Sequence, residues 1–298
     1  MPCVAIGFDF GTTNSSIALA TEQGDVHVAQ FADRGGGTES FRSLLYLERI
    51  REARRAVIKS WAGPEGIEHY LQGEEKGRLI QSLKSFLASR NLQSTEIFGR
   101  RFQLEDLVAN VLRDIRVKAE QQFRSHSRSA VVGRPVHFVG AESPADDEYA
   151  VQRLTRALNT AGFEAVQFEY EPVAAAYYYE STLDHDELIL IGDFGGGTSD
   201  FSLLHVGTSI RKRGGRRAVL GNGGLPLAGD TFDAKIIRHL VSPLLGLVRF
   251  STQAASCCLS PHGCTSNWNA GITCPFCAQR KHSTCCKALR VRRLNQRS

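Results

Sequence analysis

Residues 9–19 read DFGTTNSSIAL, and residues 193–203 read DFGGGTSDFSL. Asp, Phe, Gly, Ser and Leu fall at the same offsets in both, five of eleven positions. Each segment follows an apolar, strand-forming run, CVAIGF before the first and LILIG before the second. Each therefore reads as strand, tight polar turn, strand. The spacing between them is far too long for a solenoid repeat. The repetition predicts two related lobes, each offering an Asp-x-Gly hairpin to a shared cleft. The competing reading is two unrelated Gly-rich turns.

Between the hairpins, helices and strands alternate. Leu104, Leu107, Val108, Val111, Leu112, Ile115, Ala119 and Phe123 recur at helical spacing, so 104–123 is an amphipathic helix. A strand over Ser129–Val132 runs into Gly133-Arg134-Pro135. Ser143-Pro144 opens a second helix, apolar at Val151, Leu154, Leu158 and Ala161 and closed by Gly162. Ala165–Tyr170 alternates as a strand, and Glu171-Pro172 starts a helix with Pro where its missing N–H costs nothing. Leu188–Gly192 and Phe201–Val206 are strands of the second hairpin. The order predicts an α/β fold.

The loop chemistry suits phosphate. In Gly11-Thr12-Thr13 and Gly195-Gly196-Gly197-Thr198, glycines let backbone N–H groups converge on an anion, and hydroxyls add donors. Each loop begins with an aspartate, Asp9 or Asp193. A carboxylate beside polyphosphate is repulsive unless a cation lies between, so the pair implies Mg²⁺ carrying water. No Gly-x-x-x-x-Gly-Lys-Ser/Thr motif occurs, which excludes the Walker pattern.

GFDFGTTNSS at 7–16 and IGDFGGGTSDFS at 191–202 resemble the two phosphate motifs of the Hsp70 family. SLKSFLAS at 82–89 resembles its lysine-bearing segment, VVGRPVHF at 131–138 its first connecting strand, and FEYEPVAAAYYY at 168–179 its Glu-Pro-x-Ala-Ala-Ala segment. GLPLAGDTFDAKI at 224–236 resembles the Gly-Gly-x-x-Phe-Asp stretch, with Ala228-Gly229 in place of the Gly pair. The Gly-Arg-Pro and Lys-Ser-Phe-Leu variants look closest to the divergent bacterial Hsp70-like proteins of the YegD type. The resemblance runs in order over about residues 3–245. It implies an actin-like ATPase fold with ribonuclease-H-like lobes, binding and hydrolysing ATP with Mg²⁺. By that match Gly11, Thr12, Thr13, Gly195, Gly196, Gly197, Thr198 and Gly229 bind phosphates, and Asp9 and Asp193 hold Mg²⁺ through water. Lys84 stabilises charge at the γ-phosphate, while Glu171, Asp193 and Asp200 surround the attacking water and Thr198 contacts the γ-phosphate. The implied partners are ATP and ADP, with co-chaperones or unfolded protein in a full-length relative. The implied location is the cytoplasm. Two alternatives stand beside the ATPase: a nucleotide-binding or interaction module without turnover, and a sugar kinase, which shares the two-lobe fold. No sugar-pocket signature supports the latter.

The expected organisation is lobe I over 1–181, a partial lobe II over 182–248, and a Cys-rich basic tail over 249–298. A later Gly-Gly-x-x-Arg-type motif for adenosine is missing, as are a substrate-binding domain and lid, so the chain reads as truncated. After Asp233 there is no acidic residue but ten Lys or Arg, while residues 1–233 hold 26 basic against 31 acidic. The net charge of +5 therefore belongs to the tail and argues for no nucleic-acid role. Seven of the eight cysteines also lie there, between Cys257 and Cys286. The tail has no helix or strand period and resembles translation in a wrong frame. A zinc knuckle at Cys274-x-x-Cys277 and a genuine disordered tail are the other readings. RKRGGRR at 211–217 reads as a solvated hairpin loop rather than a targeting or nucleic-acid signal. No apolar run is long enough for a spanning helix, and the start lacks a signal-peptide pattern.

Overall fold

A computed structural model of the chain describes residues 5–33, 36–52, 55–73, 77–212, 218–225 and 227–245. β1 (Ala5–Phe10) and β2 (Asn14–Ala20) form the first hairpin, and β3 (Val26–Val28) lies antiparallel on β2. A short hairpin of β4 (Phe31–Asp33) and β5 (Gly36–Thr38) follows, and β6 (Phe41–Arg42) returns to β2. β7 (Leu44–Glu52), β8 (Arg55–Ala62) and β9 (Arg78–Gln81) make a separate sheet in the order β8-β7-β9, with α1 (Gly63–Gln72) inserted before β9. Leu83–Phe86 is a 3₁₀ turn, and the hairpin of β10 (Ser94–Ile97) and β11 (Arg100–Gln103) leads into α2 (Leu104–Phe123).

β12 (Ser129–Arg134) and β13 (Ala165–Tyr170), joined through α3 (Pro144–Ala161), run parallel beside β1, so the main sheet is ordered β13-β12-β1-β2-β3. α4 (Glu171–Ser181) leads to a second antiparallel sheet of β14 (Glu187–Phe194), β15 (Ser199–Val206) and β16 (Ala218–Leu225). A short helix, α5 (Thr208–Lys212), precedes β16, and α6 (Gly229–Ile236) follows it. The expected solvated loop at 211–217 thus begins as helix, with Ser209 N–H donating to Asp186 Oδ1 at 2.9 Å in its first turn. Residues 213–217 lie outside the described residues, as do Cys3 and the tail on which the frameshift and zinc readings rest. Residues to Ile237 form one unit; the rest, from Arg238, form another whose described part is helical and ends with α7 (Ser242–Leu244). Among the described residues no helix is long and apolar enough to cross a membrane.

The helices form where the sequence signals them. α2 starts at a reciprocal cap between Gln103 and Asp106 and buries Leu107, Val111, Leu112 and Ile115 along one stripe. α3 begins on Pro144 and stops at Gly162, whose φ of 103° is the left-handed conformation glycine adopts without strain.

The hairpin repeat is also a repeat of register. Asp9 lies opposite Ser16 and Phe10 opposite Ser15; Asp193 lies opposite Asp200 and Phe194 opposite Ser199. Their packing differs. Ile6, Phe8 and Phe10 bury into a core built with α2 and α3, and Phe10 is 1% exposed. Its counterpart Phe194 is 70% exposed, beside Leu188 and Leu190 on a face that no described residue covers. The other face of the second sheet packs on α4, around Val173, Ala176, Leu204 and Val206.

Arg153 of α3 is fully buried. It donates to both carboxylate oxygens of Glu105, at 2.9 and 3.4 Å, and to the carbonyls of Phe86, Leu87, Ser89 and Leu92 at 3.0–3.3 Å. Arg153→Ala is expected to cost about 3–5 kcal/mol, since it removes a fully buried guanidinium whose donors serve the half-buried Glu105 carboxylate and the carbonyls between Phe86 and Leu92. Denaturant melts will check this. The repeat gives a second test: Phe10→Ala should cost about 3–5 kcal/mol, and Phe194→Ala less than about 1 kcal/mol. Equal losses would refute the asymmetry of the two sheets.

Candidate functional site

The tips of the two hairpins meet. A Cβ on Gly196 would lie 1.9 Å from Thr13 Oγ1, and one on Gly197 would lie 2.9 Å from Thr12 Oγ1. Glycine here lets the backbone of the second loop come up against the hydroxyls of the first. Within the second loop, Gly195 N–H donates to Thr198 O at 3.0 Å, and Gly229 N–H donates to Gly195 O at 3.1 Å. Gly229 therefore braces the second loop. Gly11 begins the turn that carries Thr12 and Thr13.

Beside the loops lies a cluster of charge. Lys84, on the 3₁₀ turn, is buried, and its Nζ donates to Glu171 Oε1 at 2.6 Å. Glu171 is the first residue of α4, where the helix dipole also favours a carboxylate. Asp9 and Asp193 sit next to last in β1 and β14, and Asp200 faces Asp193 across the ladder. Gly133 in β12 makes room for two of these groups: a Cβ there would stand 3.1 Å from Glu171 Cγ and 3.8 Å from Asp9 Oδ1.

Asp9, Glu171, Asp193 and Asp200 thus gather around the single ammonium of Lys84. Asp9 reaches solvent in the cleft but has protein on most sides. Desolvation raises its pKa to about 6; Lys84 opposes this, and the charges of Glu171 and Asp193 reinforce it. Desolvation likewise raises Asp200 to about 6. A hydrogen bond from Thr198 Oγ1, 2.9 Å from Asp200 Oδ2, and the charge of Lys84 oppose it, while Glu171 and Asp193 add to it. Desolvation and Glu171 raise Asp193 as well, against the pull of Lys84. Asp200 Oδ1 is buried and accepts no hydrogen bond.

These features fit a cation beside a polyanion. The negative charge is in excess, one buried carboxylate oxygen has no donor, and glycines bring backbone close to hydroxyls on both loops. No three His, Cys, Asp or Glu side chains among the described residues are grouped to ligate a metal directly. The set suits an ion that keeps its own water shell.

Asp9, Gly11, Thr12, Thr13, Lys84, Glu171, Asp193, Gly195, Gly196, Gly197, Thr198 and Asp200 lie on these loops or in this cluster, and Gly229 stands behind the second loop at the start of α6. Three others join them unanticipated: Gly133, Ser82 and Asp230. Gly133 carried a signal, a glycine inside a strand just before Arg134-Pro135. Asp230 stands in the quoted stretch at 224–236 but reads there only as a helix-start acid.

A family model described as Hsp70 protein matches residues 77–245. The "Chaperone protein HscA homolog" of Rickettsia akari (strain Hartford) is 28% identical over 240 residues, which cover 80% of this chain and 37% of that protein. Its namesake in Rickettsia felis is 27% identical over 252 residues, covering 80% and 35%. The chain belongs to the Hsp70 family, and its α/β architecture is that family's actin-like ATPase fold. Proteins of the family bind ATP with Mg²⁺. The chain spans a little over a third of the length of these curated relatives.

The raised carboxylates give a signed pH test. A carboxyl group whose folded pKa lies above its unfolded value stabilises the fold at low pH, and that stability fades as pH rises through about 6 for Asp9 and Asp200. Asp200→Asn removes one such group. It is expected to raise Tm at pH 8 by roughly 2–4 °C, the size of about 1 kcal/mol in a domain of this length. At pH 4.5 the gain should be much smaller, and it should disappear only below the unfolded value of 3.8. Thermal melts at both pH values decide it, and a loss at pH 8 would refute the reading.

Proposed function

We propose that this chain is the nucleotide-handling part of an Hsp70-like protein, holding Mg·ATP between its two hairpin loops and hydrolysing it. One observation carries the reading: Lys84, the carboxylates of Asp9, Glu171, Asp193 and Asp200, and both glycine-hydroxyl loops converge on one cleft. Gly11, Thr12, Thr13, Gly195, Gly196, Gly197 and Thr198 would hold the phosphates, with Gly229 behind them. Asp9 and Asp193 would hold Mg²⁺ through its waters, and the bound ion would neutralise phosphate charge. Lys84 would stabilise charge building on the terminal phosphate. Glu171, Asp193 and Asp200 would orient the attacking water, and Asp200 can take its proton at Oδ1.

In this reading residues 1–181 are the first lobe and 182–248 belong to the second; the expected tail at 249–298 lies outside the described residues. Two separate apolar cores, one drawn from residues 6–163 and one from 173–206, support two lobes, with α4 packing on the second sheet. The Gly-Arg-Pro variant at 133–135 supports a place in the divergent branch of the family. Co-chaperones and unfolded protein would be partners of longer relatives, and the setting would be cytoplasmic. Binding without turnover is the second reading. What favours it is the 2.6 Å closure of Lys84 on Glu171, which occupies two of the catalytic groups with each other.

Calorimetry with Mg·ATP and a turnover assay separate these readings. Lys84→Ala should lower turnover roughly 100-fold while changing Mg·ADP affinity less than about threefold. Turnover in the wild type that Lys84→Ala leaves intact would refute the assignment.

A further inference from the structure

Asp230 is used by none of the chemistry above, yet it joins three distant segments. Its Oδ1 accepts a hydrogen bond from Thr13 Oγ1 at 3.0 Å, and its Oδ2 accepts one from Ser82 Oγ at 3.1 Å. Its N–H donates to Gly196 O at 2.9 Å. The hydroxyl donors lie 217 and 148 positions away in the chain. They are the first loop and the residue two before Lys84; the carbonyl partner is the second loop. Gly196 is also the glycine whose Cβ would collide with Thr13 Oγ1, so the contact is close on all sides.

Ser82 adds a second observation. Its φ of 57° is left-handed, a conformation that is unfavourable for a residue with a Cβ. It stands at the N-terminal end of the 3₁₀ turn that carries Lys84. The strained residue at the base of that turn is therefore tied by its hydroxyl to Asp230.

We propose that Asp230 is an internal anion that competes with phosphate for the Thr13 hydroxyl, and that its displacement loosens the Lys84 turn. The proposal rests on the reading of the two loops as a phosphate site. A carboxylate already holds one of the hydroxyls that a phosphate would need, and its charge repels an incoming polyanion. When Thr13 turns to phosphate, the polyanion pushes the Asp230 carboxylate aside and its bond to Ser82 gives way with it, while the backbone bond to Gly196 stays. The position of the Lys84 turn is then coupled to occupation of the loops. Asp230 is in this sense a positioning residue, acting on Lys84 through Ser82.

The test uses the full chain with Asp230→Ala and Ser82→Ala, Mg·ADP calorimetry, and amide hydrogen exchange without nucleotide. Asp230→Ala is expected to bind Mg·ADP about tenfold tighter, the scale of one charge-assisted hydrogen bond. Exchange over residues 11–14 and 82–86 should quicken in the same variant, since the bond to Gly196 is a backbone one that the variant keeps. Ser82→Ala keeps the carboxylate and the Thr13 bond, so it should quicken exchange at 82–86 alone and gain less affinity. It carries the test if Asp230→Ala fails to fold. Unchanged exchange in Asp230→Ala would overturn the tie. Weaker Mg·ADP binding would overturn the competition and make Asp230 a support of the site. If neither wild type nor variant binds Mg·ADP while exchange still quickens, the phosphate reading fails and takes the competition with it, leaving only the structural tie.

Discussion

The guanidinium of Arg153, buried between α3 and the chain after the 3₁₀ turn, uses its donors on Glu105 and on four carbonyls between Phe86 and Leu92. Those carbonyls end the turn that presents Lys84 and have no regular helix to satisfy them. Burying them without a donor would cost more than the turn could recover from local bonds. The same side chain pins Glu105 in the first turn of α2, so one cation fixes α2, α3 and the Lys84 segment together. Lys84 can therefore be buried at Glu171 because its own backbone is held from behind. The ammonium of Lys84, the only one gathered there among the described residues, depends on a second cation that never reaches the site.

Much of the framework is local and for that reason legible in the sequence. The stripe from Leu104 to Phe123, the Pro144 and Pro172 starts and the Gly162 stop each act within a few residues, and each element formed where those signals placed it. The pairing of 9–19 with 193–203 is legible too, because repeated residues at repeated offsets impose the same strand register. Arg153 is not legible. A charged residue in a helix reads as solvated, and only its position against carbonyls 61–67 residues away reverses that. Asp230 fails for the same reason, since its partners lie in other segments. The short strands between Val26 and Gln103 carry weak periodicity, and their pairings are set by neighbours rather than by their own sequence.

The two hairpins share a register but not a foundation. β1 lies between β2 and β12 with its apolar residues sealed under α2 and α3, so Asp9 is held by a rigid strand. β14 has only β15 beside it among the described strands, and the small core against α4 is all that anchors it from below. The second loop must then take part of its position from the first. Thr12 and Thr13 against Gly197 and Gly196, with Gly229 and Asp230 bonded to the carbonyls of Gly195 and Gly196, supply that support from outside the second sheet.

This arrangement sets the electrostatics in opposition to the packing. Closing the loops brings Asp9, Asp193, Asp200 and Glu171 near one another in a partly desolvated cleft, and the raised pKa values of three of them measure that cost. Lys84 offsets part of it, but it is already closed on Glu171 at 2.6 Å. Glycine–hydroxyl contacts hold the loops together against the repulsion of like charge, and a cation that neutralises the aspartates relieves that repulsion. A polyanion alone does the reverse, since it adds charge of the same sign and contends with Asp230 for Thr13. Only the two together satisfy both sides. On the proposed reading of the cleft, a phosphate ligand that arrives with its cation meets that requirement, and either one separately does not.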